Sequence, residues 1–347
     1  MLERKIKKYL DQELNQSFPG YSFGLVYKNK APIFIANGKL NYQDQVNNVN
    51  SESIYDLASL TKVIATTSAI LKLLEENKIH LRQKVKEILP RFQVENTTIY
   101  HLLTHTSGLP ADLKTYKAAK NKAEFIEFVY QVQPELKLDE KVIYSDFNFL
   151  LLGFIVEYFK NSLPNYLKEI LLQPLKMENT TYQVSDLQKS NTASTEISPQ
   201  RGLIHGEVHD GKAYLLGGES GNAGLFSNVI DLSTFATMLL NNGRYQNQTI
   251  FKSETIDLLK KSYTSHLNEP RTLGWMSKNH HGNQGDYLSD EIIYHTGFSG
   301  TSFLLDFKKE IAIILLTNRV NPTRDNQRII DVRPILSNLI YLNLKET

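Results

Sequence analysis

Ser302-Phe303-Leu304-Leu305-Asp306-Phe307 and Ile311-Ala312-Ile313-Ile314-Leu315-Leu316-Thr317 are two apolar runs split by the charged turn Lys308-Lys309-Glu310. Short β-branched and aliphatic runs bounded by a turn predict strands. Near the other terminus, Tyr21–Val26 and Ile33–Ala36 are rich in aromatic and β-branched residues, with turn-like Lys28-Asn29-Lys30 between them. That is a second strand pair. Between the two pairs the sequence is mainly helical. Leu60, Val63, Ile64, Leu71 and Leu74 keep a helical spacing across Ser59–Asn77, with one miss at Thr67. The clearest helices further on are Lys120–Val132 and Asp146–Phe159. Residues 185–222, rich in Gly, Ser, Asn and Thr, predict a long loop or crossover, and Asp231–Asn241 and Arg328–Leu342 two more helices. Strands at both ends must meet in one sheet, so the fold class is α+β with the helical middle as an inserted lobe. The seam between the lobes is the expected place for a ligand cleft.

Composition narrows the function classes. The 347 residues carry 39 Lys+Arg against 37 Asp+Glu, a net charge of +2, and nothing in that balance points to a nucleic-acid or anionic-membrane partner. The absence of Cys rules out a thiol nucleophile, a disulfide framework, Cys-ligated zinc and an iron–sulfur cluster. The longest apolar run, Phe149–Val156, is far short of the roughly 18 residues of a membrane span, so no transmembrane segment is expected. Met1–Leu14 interleaves Lys5, Lys7, Lys8 and Asp11 with Leu2, Ile6, Leu10 and Leu14, which predicts an amphipathic helix and not a signal peptide. As the sequence stands the expectation is a cytoplasmic protein, or an extracytoplasmic one if a leader has been removed. Nothing in these patterns addresses oligomeric state.

Three segments have the makings of a reactive site. Ser59-Leu60-Thr61-Lys62 opens an amphipathic helix, and its spacing of three sets serine and lysine on one helical face. The positive end of the helix dipole lies where a tetrahedral oxyanion would form. Lysine can take the serine proton if burial lowers its pKa. Tyr144-Ser145-Asp146 opens a second apolar helix, and a tyrosine beside the Ser–Lys pair can relay a proton. His295-Thr296-Gly297 follows Ile292-Ile293-Tyr294, a strand ending in small residues that a substrate backbone can approach, with His295 otherwise a surface histidine. Two Gly-x-Ser-x-Gly near-matches fail at the fifth position, at Thr301 and Asn222. The histidine pairs His205/His209 and His101/His105 lack metal-binding patterning, because Gly206 disfavours a helix and Gly108 with Pro110 marks a helix stop, near which His105 is expected to be hydrogen-bonded.

The ordered set resembles the serine β-lactamase and penicillin-binding-protein-like family, on its class C β-lactamase, D,D-peptidase and esterase side. The motifs are S-x-x-K at Ser59–Lys62, Y-x-N at Tyr144–Asp146 and K/H-T-G at His295–Gly297. Asp56-Leu57-Ala58, Leu102–Pro110, Gly224–Ser227 and Leu273-Gly274-Trp275 support them, so the resemblance runs from about residue 20 to 342. It implies a β-lactamase/transpeptidase-like fold. An antiparallel sheet flanked by helices would occupy residues 1–76 and 215–347, a mainly helical lobe residues 77–214, and the site the cleft between them. It implies Ser59 as the acylated nucleophile, with Lys62 and Tyr144 sharing general-base and relay duties. The backbone N–H groups of Ser59 and Phe298 would form the oxyanion hole, and Asp146, His295, Thr296, Gly297 and Phe298 would contact substrate. No metal and no organic cofactor is implied.

Two departures shape the expected activity. Asp146 stands where the family has Asn, and a carboxylate cannot donate to a substrate carbonyl. It is expected to pair with Lys62, raise that lysine's pKa and weaken it as a base. His295 replaces the Lys typical of strong β-lactamases and attracts a substrate carboxylate less well. The leading expectation is a serine hydrolase acting through an acyl-enzyme on an ester or D-amino-acid amide in a small molecule or peptide. It would be D,D-carboxypeptidase-like or a carboxylesterase, with weak or no β-lactamase activity, and the missing leader favours the esterase. The alternative is a non-catalytic penicillin-binding or sensor protein on the same fold.

Overall fold

Leu2, Ile6 and Leu10 recur every fourth residue, and all three are buried along one side of helix α1 (Leu2–Glu13). The computed structural model describes residues 1–43, 47–279 and 282–344. After α1 come β1 (Gly20–Tyr27) and β2 (Ile33–Gly38), paired antiparallel with Phe23 opposite Ile35. A π-helical turn, Lys62–Thr66, leads into α2 (Thr67–Glu75), followed by α3 (Ile99–Thr104) and α4 (Asp146–Lys160). Further on are α5 (Gly211–Leu215) and α6 (Val229–Leu240). The chain closes with β3 (Ile292–Thr296), β4 (Ser302–Asp306), β5 (Ile311–Thr317) and α7 (Ile329–Asn343).

The sheet has the order β2-β1-β5-β4-β3, and every neighbouring pair is antiparallel. The expected meeting of the two chain ends is the β1–β5 pair, with Phe23 opposite Leu315 and Leu25 opposite Ile313. Side chains alternate across the sheet. Phe23, Leu25, Leu304, Ile313 and Leu315 pack with α1 and with Ile329, Val332, Leu336 and Ile340 of α7. Val26, Phe303, Leu305, Ala312, Ile314 and Leu316 face the other way, toward Val229, Leu232 and Phe235 of α6. Both faces are covered, which is why β4 and β5 are continuous apolar runs rather than alternating ones. The α6-side cluster continues without a break through Ile64 and Leu71 into Leu150, Leu151 and Ile155 of α4. Among the described residues no helix is long and apolar enough to cross a membrane.

Two expectations change in detail. The helix expected from Ser59 begins at the next residue, Leu60, after a left-handed Ala58 at φ 46°, and it is π-helical over Lys62–Thr66. Thr67, the miss in its spacing, is buried and donates its hydroxyl to the Lys62 carbonyl at 2.9 Å, at the end of the π turn. Residues 185–222 are not all loop: they hold α5 and the small pair Ile197–Ser198 with Gly202–Leu203.

Phe303 packs its ring 5.4 Å from Trp275 and 5.9 Å from Phe235 and has no exposed surface. Phe303→Ala is expected to lower the free energy of urea unfolding by about 3–5 kcal/mol. Leu187→Ala, at a side chain 90% exposed, should change it by under about 0.5 kcal/mol.

Candidate active site

Asp56 sets the approach to Ser59. Tyr55–Asp56 pairs antiparallel with Phe226–Ser227, and the Asp56 carboxylate accepts from the Ala58 N–H at 2.8 Å and the His209 N–H at 2.7 Å. The left-handed Ala58 then turns the chain into the helix, leaving Ser59 at its positive end. Thr66 donates to the Gly221 carbonyl at 2.7 Å, and the Thr61 hydroxyl accepts from the Leu225 N–H at 3.0 Å. These bonds hold residues 221–225 against the helix and set the Asn222 carbonyl over Lys62. The near-match that failed at Asn222 thus marks a loop of the site.

The Lys62 ammonium is buried and has three oxygen partners. It meets Ser59 Oγ at 3.0 Å, the Asn222 carbonyl at 2.9 Å and Asp146 Oδ1 at 2.8 Å. Burial lowers the lysine's pKa, but Asp146 first and then the Tyr144 oxygen outweigh it, so the net shift is upward. The expected pairing of Asp146 with Lys62 is present. The other carboxylate oxygen meets Lys212 Nζ at 3.0 Å, and Lys212 meets Asp112 at 2.8 Å. Burial raises the Asp146 pKa and the two lysines lower it, for a net fall to about 2.

Tyr144 and Asp146 are placed by the start of α4. Ser145 caps the helix, its hydroxyl accepting from the Phe147 N–H at 3.2 Å. The Ser145 N–H donates to His105 Nδ1 at 3.1 Å, and the Asn148 side-chain amide meets the same nitrogen at 3.0 Å. As expected, His105 is hydrogen-bonded at a helix end, as the left-handed cap of α3. Its Nδ1 accepts, so its proton sits on Nε2. The Tyr144 ring lies 4.8 Å from that of His105 and 5.8 Å from that of His295, and the Tyr144 hydroxyl is buried. Two cations flank the Tyr144 ring, Lys62 at 5.1 Å and Arg271 at 5.4 Å.

Strand β3 brings in the third motif. A Cβ on Gly297 would stand 2.4 Å from the Leu57 carbonyl oxygen and 2.1 Å from Thr301 Oγ1, so the strand end lies directly on the loop that carries Ser59. Ser299 fastens it by donating to the Asp56 carbonyl at 2.6 Å. The backbone N–H groups of Ser59 and Phe298 donate to no described residue. His295 departs from a surface histidine. It is buried, Nδ1 lies 2.9 Å from the Thr296 carbonyl, and Nε2 has no partner among the described residues. Burial first, then the charges of Arg271 and Lys62, pushes its pKa well below the usual histidine range. It is therefore neutral at physiological pH and carries no charge for a substrate carboxylate.

Two cavities meet at Ser59. One, of about 640 Å3, includes Asp112, Asp146, Lys212 and Phe298. The other, of about 450 Å3, includes Tyr144, Arg271, His295, Thr296 and Arg333. Arg271 meets Glu269 at 2.6 Å through Nη2, while its Nε and Nη1, and Arg333 Nε, are buried with no hydrogen-bond partner among the described residues. Sequence reasoning passed over Lys212 and Arg271. The nearest signal for Arg271 was the flagged Leu273-Gly274-Trp275; Lys212 had none.

The beta-lactamase family model matches residues 2–334. A protein of Escherichia coli K12 provisionally named D-alanyl-D-alanine carboxypeptidase is 30% identical over 371 residues, covering 93% of this chain and 84% of that one. The octameric penicillin-binding protein homologue from Pyrococcus abyssi superposes with a TM-score of 0.77 at 22% identity, over 100% of this chain and 78% of the other. EstCE1, a hydrolase with promiscuous acyltransferase activity, superposes with a TM-score of 0.79 at 18% identity, over 98% of both chains. These two structures share the β-lactamase/transpeptidase-like fold with it.

The Asp146 pairing gives an acid signature. A carboxylate whose folded pKa lies below its ordinary value of 3.8 stabilises the fold above that value, and the contribution is lost as pH falls toward about 2. The melting temperature of the wild type should therefore fall more steeply than that of Asp146→Asn between about pH 4 and pH 2. Parallel curves would show that the pairing adds nothing to stability.

Proposed function

The chain belongs to the beta-lactamase family, and from that membership we propose that it is a serine hydrolase acting through an acyl-enzyme at Ser59. Its substrates carry a free carboxylate on the leaving side of the scissile bond, as a D-amino-acid amide does. A D,D-carboxypeptidase-like activity is thus favoured over a neutral carboxylesterase, with weak or no β-lactamase activity. The observation that carries the choice is the cavity beside Ser59 lined by Arg271 and Arg333, with Arg271 Nε, Arg271 Nη1 and Arg333 Nε lacking partners among the described residues. Buried donors without acceptors are costly, and a carboxylate supplies acceptors to a guanidinium. The relative's carboxypeptidase name supports the same choice.

The geometry supports the following roles. Lys62 has every N–H engaged and a raised pKa, so it serves as a resident ammonium that orients Ser59 rather than as the resting base. Tyr144 relays the proton. As Ser59 Oγ attacks the carbonyl carbon, the Tyr144 oxygen accepts the serine proton and passes its own to the leaving nitrogen or oxygen. The oxyanion is held by the N–H groups of Ser59 and Phe298. The bond to the leaving group breaks, and water then hydrolyses the ester on Ser59 to release an acid and restore the serine. The division into residues 1–76 with 215–347 and residues 77–214 is part of this reading. The first group supplies Ser59, Lys62 and His295, and the second Tyr144 and Asp146.

A non-catalytic sensor is the second reading, and the ammonium form of Lys62 is what favours it. Turnover separates the two. Ser59→Ala is expected to lower kcat/KM on a nitrophenyl ester and on an N-acyl-D-alanyl-D-alanine peptide by at least about 1,000-fold. Equal rates in wild type and variant would remove Ser59 from the mechanism, and no turnover of either substrate by the wild type would favour the sensor.

Arg271→Met is expected to lower kcat/KM on the carboxylate-bearing peptide by roughly 10- to 100-fold relative to the neutral ester, as for losing hydrogen bonds to a charged group. Because His295 is neutral, the ratio of kcat/KM for the two substrates should pass through about pH 6.5 without a step. A fall in that ratio above pH 6.5 would restore a charged His295.

A further inference from the structure

A carboxylate at position 146 accepts but cannot donate. Both Asp146 oxygens are engaged, Oδ1 by Lys62 at 2.8 Å and Oδ2 by Lys212 at 3.0 Å. Lys212 comes from α5, far along the chain, and is nearly as buried as Lys62, with 6% of its side chain exposed. Its ammonium uses one N–H on Asp146 and one on Asp112, at 2.8 Å, and the Tyr116 ring lies beneath it at 5.0 Å. The remaining N–H has no acceptor among the described residues, and Lys212 shares the wall of the about 640 Å3 cavity with Ser59, Asp146 and Phe298. The sequence of contacts is Ser59–Lys62–Asp146–Lys212, each between 2.8 and 3.0 Å. Burying an ammonium requires paired acceptors, and Asp146 with Asp112 meets that need.

We propose that Lys212 is a substrate-binding residue whose free N–H donates to an amide carbonyl on the acyl side of the scissile bond. The Asp146–Lys212 pair thus does together what one side-chain amide does alone: the carboxylate accepts from Lys62, and the ammonium donates to substrate. The substrate class is an N-acylated amino-acid ester or amide rather than a simple acyl ester. The proposal rests on the Ser59 reading above.

Two nitrophenyl esters with the same leaving group isolate the contact. Nitrophenyl acetate has no acyl-side amide, whereas the nitrophenyl ester of N-acetyl-D-alanine has one. The readout is the ratio of kcat/KM for the second to that for the first. Lys212→Met is expected to lower this ratio about tenfold or more, as for a site that loses a hydrogen bond to its substrate. The double variant Lys212→Met with Asp146→Asn puts an amide beside Lys62 and should return the ratio to within about threefold of wild type. Lys212→Gln keeps a donor of similar reach and is expected to hold the ratio within about threefold, which keeps the test sound if Lys212→Met melts early. A ratio unchanged in Lys212→Met, or a double variant no better than Lys212→Met, would overturn the proposal. Turnover that survives in Ser59→Ala is the separate signature of a failed Ser59 reading.

Discussion

A lysine ammonium with 1% of its side chain exposed exists inside a protein only if oxygens replace the water it has lost. Lys62 takes those oxygens from three places: the serine three residues before it, the carbonyl of Asn222 and the carboxylate of Asp146. Much of the site's architecture serves that requirement. Thr61 and Thr66 fix the loop that offers the carbonyl, and Ser145 with His105 fixes the helix start that offers the carboxylate. The same contacts place Ser59 Oγ in a cationic field at a helix N-terminus, where its hydroxyl is held in one direction.

The second constraint is charge balance. An amide at position 146 would be neutral, but Asp146 brings a full charge beside Lys62. The structure answers with Lys212 on the second oxygen and Asp112 beyond it, an alternating row of Lys62, Asp146, Lys212 and Asp112. Removing Asp146 would take the carboxylate from the buried Lys62, whereas Lys212 would keep Asp112. On the other side of Ser59, the buried Arg271 is paired with Glu269, and burial and nearby cations push the pKa values of His105 and His295 well below the usual histidine range. One cavity therefore pairs its lysines with Asp146 and Asp112, while the other, with Glu269 beside three arginines, has arginine donors without acceptors among the described residues. That asymmetry is the physical basis for assigning a carboxylate to one side and an amide carbonyl to the other.

How much of this was legible in the sequence depends on range. The strands at both ends were readable because burial on two faces makes Ile311–Thr317 a continuous apolar run, and their antiparallel pairing follows from the family resemblance. α1 was readable because its buried residues recur every fourth position. The start of α4 was readable from Asp146 onward, where the apolar run begins. The π turn that follows Ser59 was not, since it and the left-handed Ala58 leave no compositional trace. The Asp146–Lys62 pair was foreseeable from chemistry once Asp replaced Asn. Lys212 and Arg271 were not, because single residues delivered by distant segments carry no spacing signal. The burial of His295 was missed for a related reason: its neighbours Arg271, Tyr144 and Lys62 converge only in three dimensions.

The central claim is that Ser59 is the atom acylated. Intact-protein mass spectrometry after incubation with a fluorophosphonate, and separately with a penicillin, tests it most directly, with Ser59→Ala alongside. The account predicts a fluorophosphonate adduct on the wild type that is absent from the variant and maps to Ser59, with any penicillin adduct falling on the same residue. An adduct of equal yield in Ser59→Ala, or one mapped to another side chain, would contradict it.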